Sequence, residues 1–280
     1  MAGRLIPPED KERSRKGRNR SLLFAALAVS GVGVLVGAAP PATIGFTGMV
    51  AADHFLASRA GADVLELGGN AVDAAVATAL AAGVVQPAGS GLGGGGFALV
   101  VSPEEGDGQP RATVLDFREV APASSRQQMF VLDPDGEPVA AKASRKGGLA
   151  VAVPGEGPGL ALLHAQHGEL SWRSVVKPAL KLARGGFPVG WHLGEALHKS
   201  VEHSPNIAVG LFGSLYVNRV PTQGEWVRRA GLAKTLQAFA RHGEHVFRKG
   251  PIADAIVETV RSEGGILTSE DLEDYAPKER

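Results

Sequence analysis

From Asp53 onward, apolar residues recur at the spacing of one helical face. Leu56, Ala60, Val64 and Leu67 stand three or four positions apart, which predicts a helix that Asp53 caps and Gly68-Gly69 stops. Asn70 is placed to cap a second helix, AVDAAVATALAAGVV, which is so rich in alanine that it must pack closely against a neighbour; Pro87 bounds it. The period then changes. After a glycine run, SGLGGGG (Ser90 to Gly96), the segments FALVV (Phe97 to Val101) and ATVLDF (Ala112 to Phe117) are β-rich, and the polar stretch between them predicts a hairpin. Residues 119–147 show little periodicity and read as a covering loop, with a small hairpin near Asp133-Pro134-Asp135-Gly136. A third strand is expected at Leu149 to Val153, ended by Pro154-Gly155. Beyond it the pattern is helical: 157–167, 172–184 with Ser171 as cap, 192–203, 230–241, and 251–263 with Pro251 in the first turn. Thr268, three residues before Asp271, starts a last short helix. Strands flanked by helices on both sides predict an α/β layered domain.

The N-terminus follows a different logic. Lys11 to Arg20 is strongly basic, and Leu22 to Ala39 is an apolar run of 18 residues broken only by Ser30 and glycines. A basic region, an apolar region and small residues near Val36, Ala38 and Ala39 make residues 1–39 a secretory signal or, if uncleaved, a membrane anchor. Positive charge ahead of the apolar run keeps that end inside, so the remainder is expected to be exported, to the periplasm or the exterior.

Composition narrows the chemistry. The 29 basic and 29 acidic side chains balance, but residues 1–20 carry seven basic and three acidic groups, leaving the body mildly acidic. A folded surface without concentrated positive charge argues against nucleic-acid binding. With no cysteine there is no disulfide framework, thiolate metal site or cysteine nucleophile. Glycine, at 38 of 280 residues, is about twice its usual share.

Gly91, Gly93 and Gly96 match a dinucleotide fingerprint, with Asp116 at the expected distance, but a helix precedes the glycines and a strand follows, the reverse of what pyrophosphate binding needs. Consecutive glycines suit a place where backbone passes close to other backbone. In DFRE (Asp116 to Glu119), Arg118 lies at a strand end beside that loop, well placed to clamp a carboxylate in bidentate fashion, or else to pair with Asp116 or Glu119. His164 with His167, and His242 with His245, have i,i+3 spacing but lack the pattern of a zinc motif. Neither Ser90 nor Ser214 completes a nucleophile elbow.

The longer motifs carry a family resemblance. MVAADHFLASRAGADVLELGGNAVDAAVA (Met49 to Ala77), VVQPAGSGLGGGGFALVV (Val84 to Val101) and LDFREVAP (Leu115 to Pro122) resemble the large-subunit part of γ-glutamyltranspeptidases. VPGEGPGLALLHAQHGELSW (Val153 to Trp172), PALKLARGGFPV (Pro178 to Val189) and GGILTSEDLEDYAPKER continue the resemblance, so residues 45–280 read as the N-terminal part of that subunit. The resemblance implies an αββα N-terminal-nucleophile hydrolase, of which this stretch is a part, made as a precursor that cuts itself into two subunits. The nucleophile would be the N-terminal Thr of the small subunit, with its own α-amino group as base. Glutathione or another γ-glutamyl compound would be donor, water or an amino acid or peptide the acceptor, and neither metal nor organic cofactor is required. Arg118 matches the family arginine that grips the donor α-carboxylate. Two departures stand out: Gln86 occupies a position where a glutamate is common, and no Thr-Thr-His or Thr-Ser-His string occurs. These residues alone are therefore expected to be inactive. A β-lactam acylase, a polyglutamate capsule depolymerase and a non-catalytic envelope protein are the alternatives.

Overall fold

The computed structural model describes residues 44–102, 110–137, 139, 142–203 and 220–280. The basic and apolar leader, and the middle of the turn joining the two β-rich segments, lie outside the described residues. Residues 47–280 make one unit; of residues 1–46, only the exposed stretch 44–46 is described.

Helix α1 (Phe55–Glu66) starts one residue later than its apolar pattern suggests. His54, not Asp53, is the cap, because its Nδ1 accepts the Leu56 N–H at 3.2 Å. Helix α2 (Ala71–Val85) begins at Asn70 with a reciprocal capping box: Asn70 takes the Asp73 N–H and Asp73 takes the Asn70 N–H. Its alanines do what their abundance predicts, since nearly the whole helix is buried. Gly61 of α1 allows the close approach: a Cβ there would overlap the Thr78 hydroxyl and stand 2.9 Å from the Ala74 carbonyl.

Strands β1 (Phe97–Ser102) and β2 (Arg111–Asp116) form the expected antiparallel hairpin, with Phe97 opposite Asp116 and Ser102 opposite Arg111. A short β5 (Lys278–Glu279) adds to the other edge of β2. On β1, Ala98 and Val100 pack against the core, whereas Phe97, Leu99 and Val101 are exposed. A second, two-stranded sheet pairs β3 (Phe187–Pro188) with β4 (Trp226–Val227).

The third expected strand does not form. Residues Gly148–Ala150 make a 3₁₀ turn, and only Val153 bridges a strand-like partner, Val120. The cause is steric: Gly148 is wedged so tightly against the end of helix α8 (Pro251–Ser262) that its own N–H bonds the Glu263 carbonyl at 2.9 Å. Within residues 119–147, the Asp133–Gly136 turn closes as expected, with Asp133 N–H bonding the Glu137 carbonyl at 2.7 Å.

The remaining helices are α3 (Glu156–His167), α4 (Trp172–Gly185), α5 (Trp191–His203), α6 (Ala230–His242), α7 (His245–Arg248), α8 and α9 (Ser269–Asp274). Ser171 caps α4, and Thr268 with Asp271 forms a capping box on α9, both as the sequence predicts. The main core joins α1 to α4, α6 and the hairpin; a smaller one gathers Val153, Val257, Val260, Leu267, Leu272 and Tyr275. Among the described residues no helix is long and apolar enough to cross a membrane.

Asp73 ties α2 to the segment linking α3 and α4. Fully buried, its Oδ2 accepts backbone N–H groups of Asn70, Glu169 and Leu170 at 3.0, 3.1 and 3.2 Å, while His164 Nε2 lies 3.3 Å from Oδ1. Asp73→Ala leaves three part-buried backbone donors without their acceptor and is expected to destabilise the fold by roughly 2–4 kcal/mol. Urea denaturation with an unchanged midpoint would show that the carboxylate is dispensable.

Candidate functional site

Four stretches of backbone meet at the start of β1: the glycine loop, the turn after β2, the N-terminus of α3 and the segment after α9. Gly96 and Phe117 extend the hairpin by one pair, exchanging hydrogen bonds of 2.9 and 3.3 Å. The Gly94 carbonyl accepts the Gly155 and Glu156 N–H groups at 2.8 and 2.9 Å, so the loop is seated on helix donors that otherwise lack partners. A Cβ on Gly95 would stand 2.5 Å from the Phe117 carbonyl and 2.8 Å from the Glu119 nitrogen. One on Gly155 would overlap that same carbonyl and the Tyr275 hydroxyl. The glycines thus serve close backbone contact, as their run suggests.

This packing presents Arg118. Its own N–H donates to Asp116 Oδ1 at 3.0 Å, and its carbonyl accepts the Tyr275 hydroxyl at 3.0 Å. The backbone is gripped from both sides while the side chain is 69% exposed. Of the two alternative pairings, the one with Asp116 is not made by the guanidinium; Asp116 Oδ2 instead takes Arg280, at 2.8 Å from Nε and 2.7 Å from Nη2. Arg118 Nε stands 3.9 Å from Glu119 Oε2, too far for a hydrogen bond. The guanidinium thus keeps a long ion pair with Glu119 and makes no hydrogen bond among the described residues.

The electrostatics keep this turn in one state. The Arg118 N–H, then Arg280, hold the Asp116 carboxyl below the ordinary range despite partial burial. Burial, helped by the charges of Asp116 and Glu119, pushes the Tyr275 phenol up to about 12, so it remains a donor at neutral pH.

The glycine loop also lines a cavity of about 490 Å³ whose charged walls are Glu119, Glu156 and Arg229. Arg229 crosses to the end of α2, donating to the Gly83 carbonyl at 2.5 Å and the Val84 carbonyl at 3.3 Å. Glu156 is 6% exposed; its Oε2 accepts the Gly91 N–H at 3.3 Å and its Oε1 has no partner. Burial, outweighing that hydrogen bond and reinforced by Glu119, pushes the Glu156 carboxyl up to about 7.

Glu156 and Tyr275 escape sequence reading because nothing local marks them. An acid in the first turn of a helix is ordinary macrodipole chemistry, and only folding buries this one under the loop. The histidine pairs are not brought to this site. His164 bonds the Leu170 carbonyl at 2.9 Å and packs edge-on against Trp172, while His242 and His245 belong to different helices, α6 and α7. Among the described residues no group of three His, Asp or Glu could hold a metal ion.

The comparisons define the class first. The chain superposes on the crystal structure of Helicobacter pylori γ-glutamyltranspeptidase with a TM-score of 0.77 and 35% identity, over 86% of this chain and 67% of that one. Its fold is thus an incomplete part of the α/β, αββα sandwich of the N-terminal-nucleophile hydrolases. Residues 57–280 match the family model for gamma-glutamyltranspeptidase, and the chain belongs to that family. It is 39% identical over 234 residues to the glutathione hydrolase proenzyme of Bacillus subtilis, and 39% identical over 232 residues to scoloptoxin SSD14 of Scolopendra dehaani. Those alignments cover 83% and 81% of this chain but 38% of each relative, so the chain spans little more than a third of their length.

The raised carboxyl of Glu156 carries a pH signature. A group whose folded pKa is about 7, against 4.5 when free, holds its proton more tightly in the native state. Its contribution is full below about pH 4.5 and is lost as pH rises to about 7. Glu156→Gln should therefore gain roughly 2–4 kcal/mol relative to the native chain across that window. Parallel stability–pH curves for the two proteins would rule out the buried proton.

Proposed function

We propose that this chain is the donor-gripping part of an exported γ-glutamyl transferase and hydrolase acting on glutathione and related γ-glutamyl compounds. The observation that carries the reading is Arg118: an exposed guanidinium with its backbone fixed on both sides, at a position matching the family motif. An α-carboxylate is the natural partner of such a planar fork, and lysine could not reproduce the two parallel hydrogen bonds.

In this reading Arg118 holds the donor's α-carboxylate and so places the γ-carbonyl before the N-terminal Thr of a small subunit from the same precursor. The Thr oxygen attacks that carbonyl, its proton passing to the Thr α-amino group. Collapse of the tetrahedral adduct breaks the amide, and the departing amine takes the proton. The γ-glutamyl ester is then opened by water, which releases glutamate, or by an amino acid or peptide, which yields a new γ-glutamyl amide. Residues 45–280 supply the N-terminal part of the large subunit. Residues 1–39 direct export as a signal or an anchor, which fits the basic and apolar order of the leader.

In the two-subunit enzyme, Arg118→Ala is expected to lower donor kcat/KM by the equivalent of roughly 2–5 kcal/mol, at about 1.4 kcal/mol per tenfold. Arg118→Lys recovers only part of this, because charge returns without the fork. Release of chromophore from a γ-glutamyl anilide is the assay, and an unchanged kcat/KM in the alanine variant overturns the assignment.

A further inference from the structure

Glu156 has no part in gripping the donor in this reading, yet it is buried directly under the glycine loop that packs on the Arg118 turn. Its main chain and its side chain hold the glycine loop at two different points. The Gly155 and Glu156 N–H groups bind the Gly94 carbonyl, and Glu156 Oε2 binds the Gly91 N–H. Between those points the loop closes on itself through Gly94 N–H and the Gly91 carbonyl, at 2.8 Å. The next residues lie directly on the Arg118 turn: Gly95 against Phe117 and Glu119, and Gly96 paired with Phe117. A shift of the loop must therefore displace the turn, because contact at Gly95 leaves no room for even a methyl group.

We propose that Glu156 is a positioning residue for Arg118, acting through the glycine loop that its carboxyl oxygen braces. This rests on the assignment of Arg118 to the donor carboxylate. The brace is not interchangeable with general packing. An apolar side chain of equal length would fill the space beneath the loop but leave the Gly91 N–H without its acceptor. A glutamine keeps a carbonyl oxygen for that N–H and needs no ionisation. The two substitutions thus separate hydrogen bonding from bulk.

In the two-subunit enzyme, Glu156→Met is expected to raise donor KM about five- to tenfold, with kcat changed less than about twofold. Glu156→Gln should recover most of the difference. Amide hydrogen exchange over Gly91 to Gly96 supplies a readout independent of catalysis: about tenfold faster in the methionine variant and near native in the glutamine variant. Should Glu156→Met fail to fold, Glu156→Leu, which also fills the space without offering an acceptor, makes the same comparison. Faster loop exchange with an unaltered donor KM, in an enzyme whose KM responds to Arg118→Ala, overturns the proposal. Equal KM values in the methionine and glutamine variants do so as well, since bulk alone would then explain the site. A donor KM indifferent to Arg118→Ala overturns the donor reading, and this proposal with it.

Discussion

The contact on which the site depends is backbone against backbone. One carbonyl, that of Gly94, takes two N–H groups at the start of α3, and the Phe117 carbonyl lies where Gly95 and Gly155 both lack a side chain. Three elements distant in sequence are thereby brought closer than any Cβ would permit. Side chains with rotamer freedom could not hold the Arg118 turn with comparable tolerance, whereas main-chain hydrogen bonds have one geometry and no rotamers. The rest of the fold supplies the frame for this contact: α2 leads into the glycine loop, the hairpin carries the turn, and α9 brings Tyr275 to it.

Buried carboxylates in this chain fall into two kinds. Asp73 has three backbone donors on one oxygen, and the His164 ring lies 3.3 Å from the other. Asp271 likewise meets the N–H groups of Ala123 and Thr268 and the Thr268 hydroxyl, which outweigh burial and hold it below the ordinary range. Glu156 has one such donor and faces Glu119, and burial prevails. The difference marks two uses of a buried acid. The first kind closes a helix end and joins it to a distant segment. The second lies under the loop that shapes the site.

Arg118 is the converse case, a cation whose surroundings are arranged to leave it available. Asp116, two residues before it, is occupied by Arg280 and by the Arg118 N–H itself. Glu119 stays beyond hydrogen-bonding distance. The clamped main chain fixes where the side chain starts, while the exposed guanidinium keeps its rotamer freedom. The exposed apolar face of β1, with Phe97, Leu99 and Val101, lies on the same hairpin. It marks a sheet face that the described residues do not cover.

Much of this was legible in the chain itself. Helix positions followed from apolar spacing, and three caps, Asn70, Ser171 and Thr268, followed from residue type, because both depend on neighbours within one turn. The hairpin was legible in its β-rich halves, and Arg118 in its place at a strand end beside glycines. Asp53 failed as a cap because His54 competes one residue later, and Leu149 to Val153 failed as a strand because its fate rests on the distant end of α8. The two-residue strands and β5 carry too few residues to show a period. Local pattern thus determined most of the helices, three of their caps, the hairpin and the candidate arginine. Only the tertiary structure decided which partner Asp116 takes, that Tyr275 meets the Arg118 carbonyl, and that Glu156 is buried under the glycine loop. Each of these depends on groups separated by tens of residues or more, and no local spacing encodes burial or charge contributed from so far along the chain.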